Sequence, residues 1–260
     1  MKFISSFNKK NLMLILLLII VPVFISGFIV GDKYGESIAV LNQRKVPIYK
    51  VDRTNNLISL TLDGTWGATH TEELLEIFRE NDIKVTFFFA GYWLKKYPSL
   101  VKKIAMEGHE IGNHTYSHPH CNNLTKEELK KELEKTSNLI NNLTGIRPVF
   151  FRPPFGEYNN LVVETARELG YIPIQWSLDS LDWQEPGVEK IIERIESMVS
   201  SGDIILMHNN APDTPDALKK IIPNLKKKGF EFVALSNLVY KDNYLIQSHN
   251  GLQIKLNGSK

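Results

Sequence analysis

Six short apolar runs and one shorter segment recur along the chain, each set off from the next by an amphipathic stretch of helical length. They are Leu57–Leu62, Val85–Ala90, Glu110–Asn113, Val149–Arg152, Ile172–Leu178, Asp203–His208 and Phe230–Leu235. Most are rich in β-branched and aromatic residues, which suit a pleated, buried strand. The gaps hold Thr71–Asn81, Leu94–Glu107, a stretch ending near Gly145, Asn160–Leu169, Val188–Ser200 and Asp213–Lys228. Thr125-Lys-Glu-Glu128 opens the third of these as a capping box. Parallel neighbours need a crossover long enough to hold a helix, so this alternation predicts an α/β domain with a mostly parallel sheet.

Composition narrows the function classes. Apolar residues make up 43% and charged ones 23%, a globular balance that excludes disorder, collagen and coiled coil. Thirty-one basic against 29 acidic residues leave a net charge of +2, with no broad field for nucleic acid. One cysteine, Cys121, excludes an intrachain disulfide and any zinc site of several cysteines.

The first residues depart from this average. Leu12–Val30 carries no charge over 19 residues, broken only by Pro22, Ser26 and Gly27. At about 1.5 Å per residue it reaches roughly 28 Å, close to a hydrocarbon core. Lys2, Lys9 and Lys10 precede it and hold the N-terminus in the cytoplasm. The reading is an N-terminal membrane-spanning helix in residues 1–31, with a cleaved signal peptide as its rival. A stalk over 32–55, a domain over 56–240 and a loosely packed polar tail over 241–260 follow. The protein is then single-pass in the cell membrane, with its domain extracytoplasmic.

Chemistry-bearing residues gather where the strands end. The first strand ends at Asp63, the third runs into His114-Thr-Tyr-Ser-His118, and the fourth into Arg152-Pro-Pro-Phe-Gly156. The fifth runs into Asp179-Ser-Leu-Asp-Trp183 and the sixth ends at His208. In a parallel barrel the loops after the strands share one face, where sites are assembled. Two imidazoles four apart reach one cation if a turn joins them, although this spacing alone is a weak signal. A metal there polarises a carbonyl and lowers the pKa of bound water towards about 7. Asp63 can deprotonate that water, and Arg152 can hold the carboxylate ionised. His208 can protonate a leaving amine, with Asp179 or Asp182 stabilising its imidazolium. The set describes metal-assisted hydrolysis of an amide or ester.

Blander readings stand beside these. An Asp before Gly64 suits a turn. His120, after Pro119, reads as loop surface, and Trp176 as core or rim packing. Trp66 is core, rim or sugar platform, and Cys121 a partly buried structural residue. The lysines from Lys219 to Lys228 form a solvated helix face.

The chain resembles the polysaccharide deacetylases of the NodB-homology type, carbohydrate esterase family 4. The resemblance rests on Val46-Pro-Ile-Tyr49, Leu60-Thr-Leu-Asp-Gly-Thr-Trp-Gly67, Gly108-His-Glu-Ile-Gly-Asn-His114 and Leu206-Met-His-Asn-Asn210. Its nearest subgroup is the PdaB-like sporulation deacetylases. It implies a distorted (β/α) barrel that removes N-acetyl groups from N-acetylhexosamine polymers such as peptidoglycan. By position Asp63 matches the base, His114 and His118 the metal imidazoles, and Arg152 the arginine that tethers the base. Phe155 stands where the family has a tyrosine whose backbone N–H helps form the oxyanion hole. Asp182 tunes the acid His208, Trp183 walls the groove, and Leu206 lines the acetyl pocket. The cofactor implied is a divalent metal, zinc first, with cobalt or manganese as alternatives. The partners are a cell-wall glycan and the membrane, without nucleic acid, and the protein is a monomer.

One position departs from the pattern. The family's first motif has a second aspartate as third metal ligand, and here that position is Gly64. The PdaB-like subgroup shares this departure. Asp63 can bind the metal itself, or His70 or His120 can substitute. Otherwise the domain is a catalytically inactive module that binds peptidoglycan. A further alternative is a C–N hydrolase acting on a small soluble amide.

Overall fold

A computed structural model describes residues 44–256 of the chain. The expected membrane-spanning segment and half of the stalk lie outside the described residues. Among the described residues no helix is long and apolar enough to cross a membrane.

The strands are β1 (Lys50–Val51), β2 (Leu57–Gly64), β3 (Thr86–Phe89), β4 (Glu110–Asn113), β5 (Phe150–Phe151), β6 (Ile172–Pro173), β7 (Leu178–Asp179), β8 (Ile204–His208) and β9 (Glu231–Phe232). All but β1 share one eight-stranded sheet ordered β6-β5-β4-β3-β2-β8-β7, with β9 paired to β2, and every pairing is parallel. The sheet curls but does not close: β6 and β7 are its edges. One continuous strand over Ile172–Leu178 was the sequence expectation, and here the chain breaks in two. Between the two halves Ile174 bridges to Ile48, the Gln175 N–H donates to the Ile48 carbonyl, and the Gln175 carbonyl accepts from the Arg152 Nη2 at 3.1 Å.

Helices α1 (Thr71–Glu80), α2 (Gly91–Lys96), α3 (Pro98–Met106), α4 (Lys126–Thr144), α5 (Asn160–Glu168), α6 (Val188–Met198) and α7 (Thr214–Lys227) form the crossovers, and α8 (Leu235–Leu238) follows β9. The capping box at Thr125 is present, and Gly145 closes α4 in the left-handed conformation. The helix expected over Leu94–Glu107 is two, because Pro98 opens a new helix after Tyr97. The principal core lies between sheet and helices and contains Leu60, Leu62, Phe78, Phe87, Phe89, Trp93 and Ile221.

The ends of the domain differ from the expected stalk and tail. Val46, Ile48 and Val51 are buried. β1 pairs in parallel with β11 (Leu252–Lys255), which pairs antiparallel with β10 (Tyr244–Ile246). Gln253 is fully buried and exchanges hydrogen bonds with the Tyr240 backbone. The polar tail is therefore pinned by backbone pairing, which its polar composition does not advertise.

His109 is a buried histidine outside the site. Its Nδ1 accepts from the Val85 N–H at 3.3 Å, so the neutral ring carries its proton on Nε2. That Nε2 has no hydrogen-bond partner, and the ring packs edge-on to Phe78 and Phe87. Burial pulls the imidazole down to about 4. Unfolding frees it to titrate near 6.5, so the unfolded chain binds the extra proton between those values. Stability is expected to fall as pH drops from about 6.5 to 4, by about 3 kcal/mol from this group. His109→Asn keeps an acceptor for Val85 and removes the titration. Urea midpoints across that window should lose about one proton of dependence in the variant, and an unchanged slope would refute the assignment.

Candidate active site

The C-terminal ends of β2, β4, β5, β7 and β8 surround one cavity of about 550 Å³. Asp63, His114, His118, Phe155, Asp179, Trp183, Leu206 and His208 line it. Parallel register explains the convergence: Asp63 on β2 stands beside His208 on β8, and Asn113 on β4 beside Phe151 on β5.

Asp63 is buried, and its Oδ1 accepts a 2.7 Å hydrogen bond from the Arg152 Nη1. Burial alone would raise this carboxyl. The Arg152 guanidinium, helped by His208, outweighs burial and holds it below the ordinary carboxylate range. Arg152 is fully buried, lies 4.2 Å over the Phe88 ring, and leaves its Nε without a partner. A buried cation so placed depends on Asp63 for neutralisation.

Opposite stands a second pair. His208 Nδ1 donates to the Asp182 Oδ1 at 2.7 Å. The other Asp182 oxygen accepts from the His208 backbone N–H and the Thr214 hydroxyl, at 2.8 and 2.6 Å. Burial opposes the imidazolium, yet the Asp182 hydrogen bond and charge raise the His208 pKa above its ordinary value. Of the two aspartates weighed from sequence, Asp182 therefore holds the ring. The Asp179 Oδ1 accepts from the Leu181 N–H, and burial raises its carboxyl pKa.

His114 Nδ1 lies 2.7 Å from the Arg152 carbonyl. A carbonyl only accepts, so Nδ1 carries the proton and Nε2 presents a lone pair. That lone pair lies 3.6 Å from the Asp63 Oδ2. Burial lowers the His114 pKa against the pull of Asp63. His118, its ring 4.9 Å from His114, falls to about 3 through burial and the neighbouring imidazole. Both rings are thus neutral and able to ligate.

Gly64 adds no donor, and the place of a side chain there is taken. A Cβ on Gly64 would lie 2.3 Å from the Phe89 ring, which stacks on Trp93 at 3.9 Å. Among the described residues no group of three or more His, Cys, Asp or Glu side chains is placed to hold a metal ion. The residues present offer a pair of acceptors rather than a three-ligand set. The His114 lone pair and the Asp63 Oδ2 are two acceptors facing each other with no proton between them, an arrangement that a positive ion relieves. The expected substitutes do not reach it. His70 lies beside Glu73 at the start of α1, and His120 bonds Glu157 at 2.9 Å while stacking on Phe155. Neither lines the cavity.

The rim is strained and aromatic. Thr115, His118, Phe155, Leu181 and Glu185 have φ between 52° and 63°, the left-handed region that side chains disfavour. Phe155 and Trp183 are 52% and 56% exposed, while Leu206 is buried at the cavity floor. Cys121 is fully buried rather than partly, and burial pushes its thiol up to about 12, so it is inert. Thr65, Glu185, Asn209 and Asn210 also line the cavity and were missed from sequence. The asparagines follow His208 directly, which is the one signal that could have flagged them.

Known proteins are similar to this chain over most of its length. The family profile described as Polysaccharide deacetylase matches residues 50–174. The chain is 37% identical over 196 residues to a peptidoglycan-N-acetylglucosamine deacetylase of Bacillus cereus, covering 74% of this chain and 92% of that one. It is 34% identical to the YlxY protein of Bacillus subtilis, covering 74% of this chain but 60% of YlxY. A wild-type Bacillus anthracis protein described as a CE4 family pseudoenzyme superposes with TM-score 0.72 at 32% identity, over 74% of this chain and 68% of that one. A mutant of the same pseudoenzyme, described as having restored enzymatic activity, superposes equally well at 33% identity, over 74% of this chain and 71% of that one.

Proposed function

The chain belongs to the polysaccharide deacetylase family, carbohydrate esterase family 4 of the NodB type, and from that premise we propose that it removes N-acetyl groups from N-acetylhexosamines of peptidoglycan. One observation carries the reading: Asp63, paired with Arg152, and His208, paired with Asp182, end adjacent strands and line one cavity. Binding alone has no use for a base and an acid on neighbouring strands.

Asp63, kept ionised by Arg152, takes the proton of a water molecule whose oxygen attacks the acetamide carbonyl carbon. Leu206 packs the acetyl methyl, and the backbone N–H of Phe155 receives the developing oxyanion. His208 delivers its proton to the amide nitrogen as the C–N bond breaks, releasing acetate and a free amine. Asp182 stabilises the imidazolium until that transfer. A divalent metal, zinc before cobalt or manganese, would be held by His114 and His118 and would polarise the carbonyl and acidify the water. The same reading holds the domain at the outer face of the cell membrane through Leu12–Val30, acting in spore formation.

A second reading has its own support. Phe89 fills the space a third ligand would use, which favours a module that holds glycan without turning it over. Acetate release from peptidoglycan and N-acetylglucosamine oligomers, with zinc, cobalt, manganese or chelator, separates the two. The expected result is release only when metal is supplied. Glycan binding by folded protein with no release under any metal would overturn the deacetylase in favour of the binding module.

A further inference from the structure

Trp66 is the feature of the groove that hydrolysis of one acetamide leaves unused. Its indole is 67% exposed, yet the loop that carries it is tightly held. The Gly67 carbonyl accepts from the Trp93 Nε1 at 2.6 Å and the Asn209 Nδ2 at 3.3 Å. The Thr69 N–H donates to the Asn210 Oδ1 at 2.6 Å. Gly67 has φ +73°, and a Cβ there would strike the Asn210 amide, so the loop closes only because this residue is glycine. A large apolar ring on a rigid loop, turned to solvent at the edge of a cavity, is arranged for a ligand.

The neighbours give the ligand a shape. The Trp66 ring meets His118 edge-on at 5.1 Å, and His118 meets Phe155 at 4.5 Å. Trp66 and Phe155 thus bracket one wall of the cavity in a continuous row of rings, with His118 between them. The C–H faces of pyranose rings are apolar and carry slightly positive hydrogens that suit the negative face of an aromatic ring. A row longer than one ring suits a chain of sugars.

We infer that Trp66 is a stacking platform for a second sugar, next to the N-acetylhexosamine being deacetylated, so that the protein selects oligomeric glycan over single sugars. This rests on the groove being a glycan site. The inference assigns Trp66 to chain-length specificity, separate from the chemistry at Asp63 and His208.

Titration calorimetry on the full-length chain in chelator, where hydrolysis is suppressed, tests it. The probes are N-acetylglucosamine and its β-1,4-linked tetramer. Trp66→Ala is expected to weaken tetramer binding by about tenfold and monomer binding by less than about twofold. Trp66→Phe, which keeps a stacking face, should recover most of the loss. Equal weakening for both probes, or none for either, overturns the platform. A tetramer loss that Trp66→Phe does not recover also overturns it. If the wild-type chain binds neither probe, the glycan reading of the groove falls, and the platform falls with it. If the wild type binds both and Trp66→Ala changes nothing, only the platform falls.

Discussion

Asp63→Asn is expected to reduce acetate release by about 10²- to 10⁴-fold and to destabilise the domain by about 3–5 kcal/mol. The first effect follows from removing the base: an amide oxygen accepts a hydrogen bond from Arg152 but does not take a proton from water at neutral pH. The second follows from Arg152, whose guanidinium is wholly buried and loses its partnering charge. The double variant Asp63→Asn with Arg152→Met separates them. Urea unfolding should show most of the stability recovered, because an apolar side chain replaces the orphaned cation, while acetate release stays absent. Retained turnover in Asp63→Asn would remove Asp63 from the mechanism. The pair's contribution also has a pH signature. The folded-state pKa of Asp63 is lowered, so its stabilisation is present above the ordinary carboxylate pKa and is lost as pH falls below it.

Gly64→Asp alone is expected to destabilise the protein by about 1–3 kcal/mol and to gain little metal affinity. Its Cβ would collide with Phe89, and Phe89 cannot move freely because it stacks on Trp93 at 3.9 Å. Trp93 in turn donates to the Gly67 carbonyl, so displacing Phe89 also loosens the loop over the cavity. Gly64→Asp with Phe89→Leu trims the colliding ring, and it is expected to bind zinc at least about tenfold more tightly than the wild type. Calorimetric zinc titration with parallel melting curves reads both effects. If Gly64→Asp alone melts like the wild type and binds zinc as tightly as the double variant, Phe89 is no obstacle.

Much of the site was legible because of where its residues fall. Asp63, His114, Arg152, Asp182 and His208 each sit at or just beyond a strand end, and parallel strands deliver their C-terminal ends to one edge. Motif order and the alternation of runs were enough to read the α/β class and to place Asp63, His208 and the two imidazoles in one group. Gly64 was legible as a missing carboxylate for the same reason, since a glycine is visible wherever it stands.

Contacts between distant segments were not legible. Asp179 and Asp182 are three apart and chemically identical, and only the turn at Leu181, with Thr214 arriving from α7, decides that Asp182 meets His208. Phe89 reads as one more core aromatic until β3 is laid beside β2 and its ring fills the space next to Gly64. The Gln175 carbonyl accepts from Arg152, a partner 23 residues away that no local propensity encodes. Gln253, in a stretch of polar composition, is buried because β11 finds β1 some 200 residues away. Strand period, caps and turn residues act over a few positions, so the sequence by itself determined the elements and the chemistry at their ends. Which carboxylate pairs, which ring blocks and which indole stays in solvent depend on packing across the sheet, and only the tertiary structure decided them.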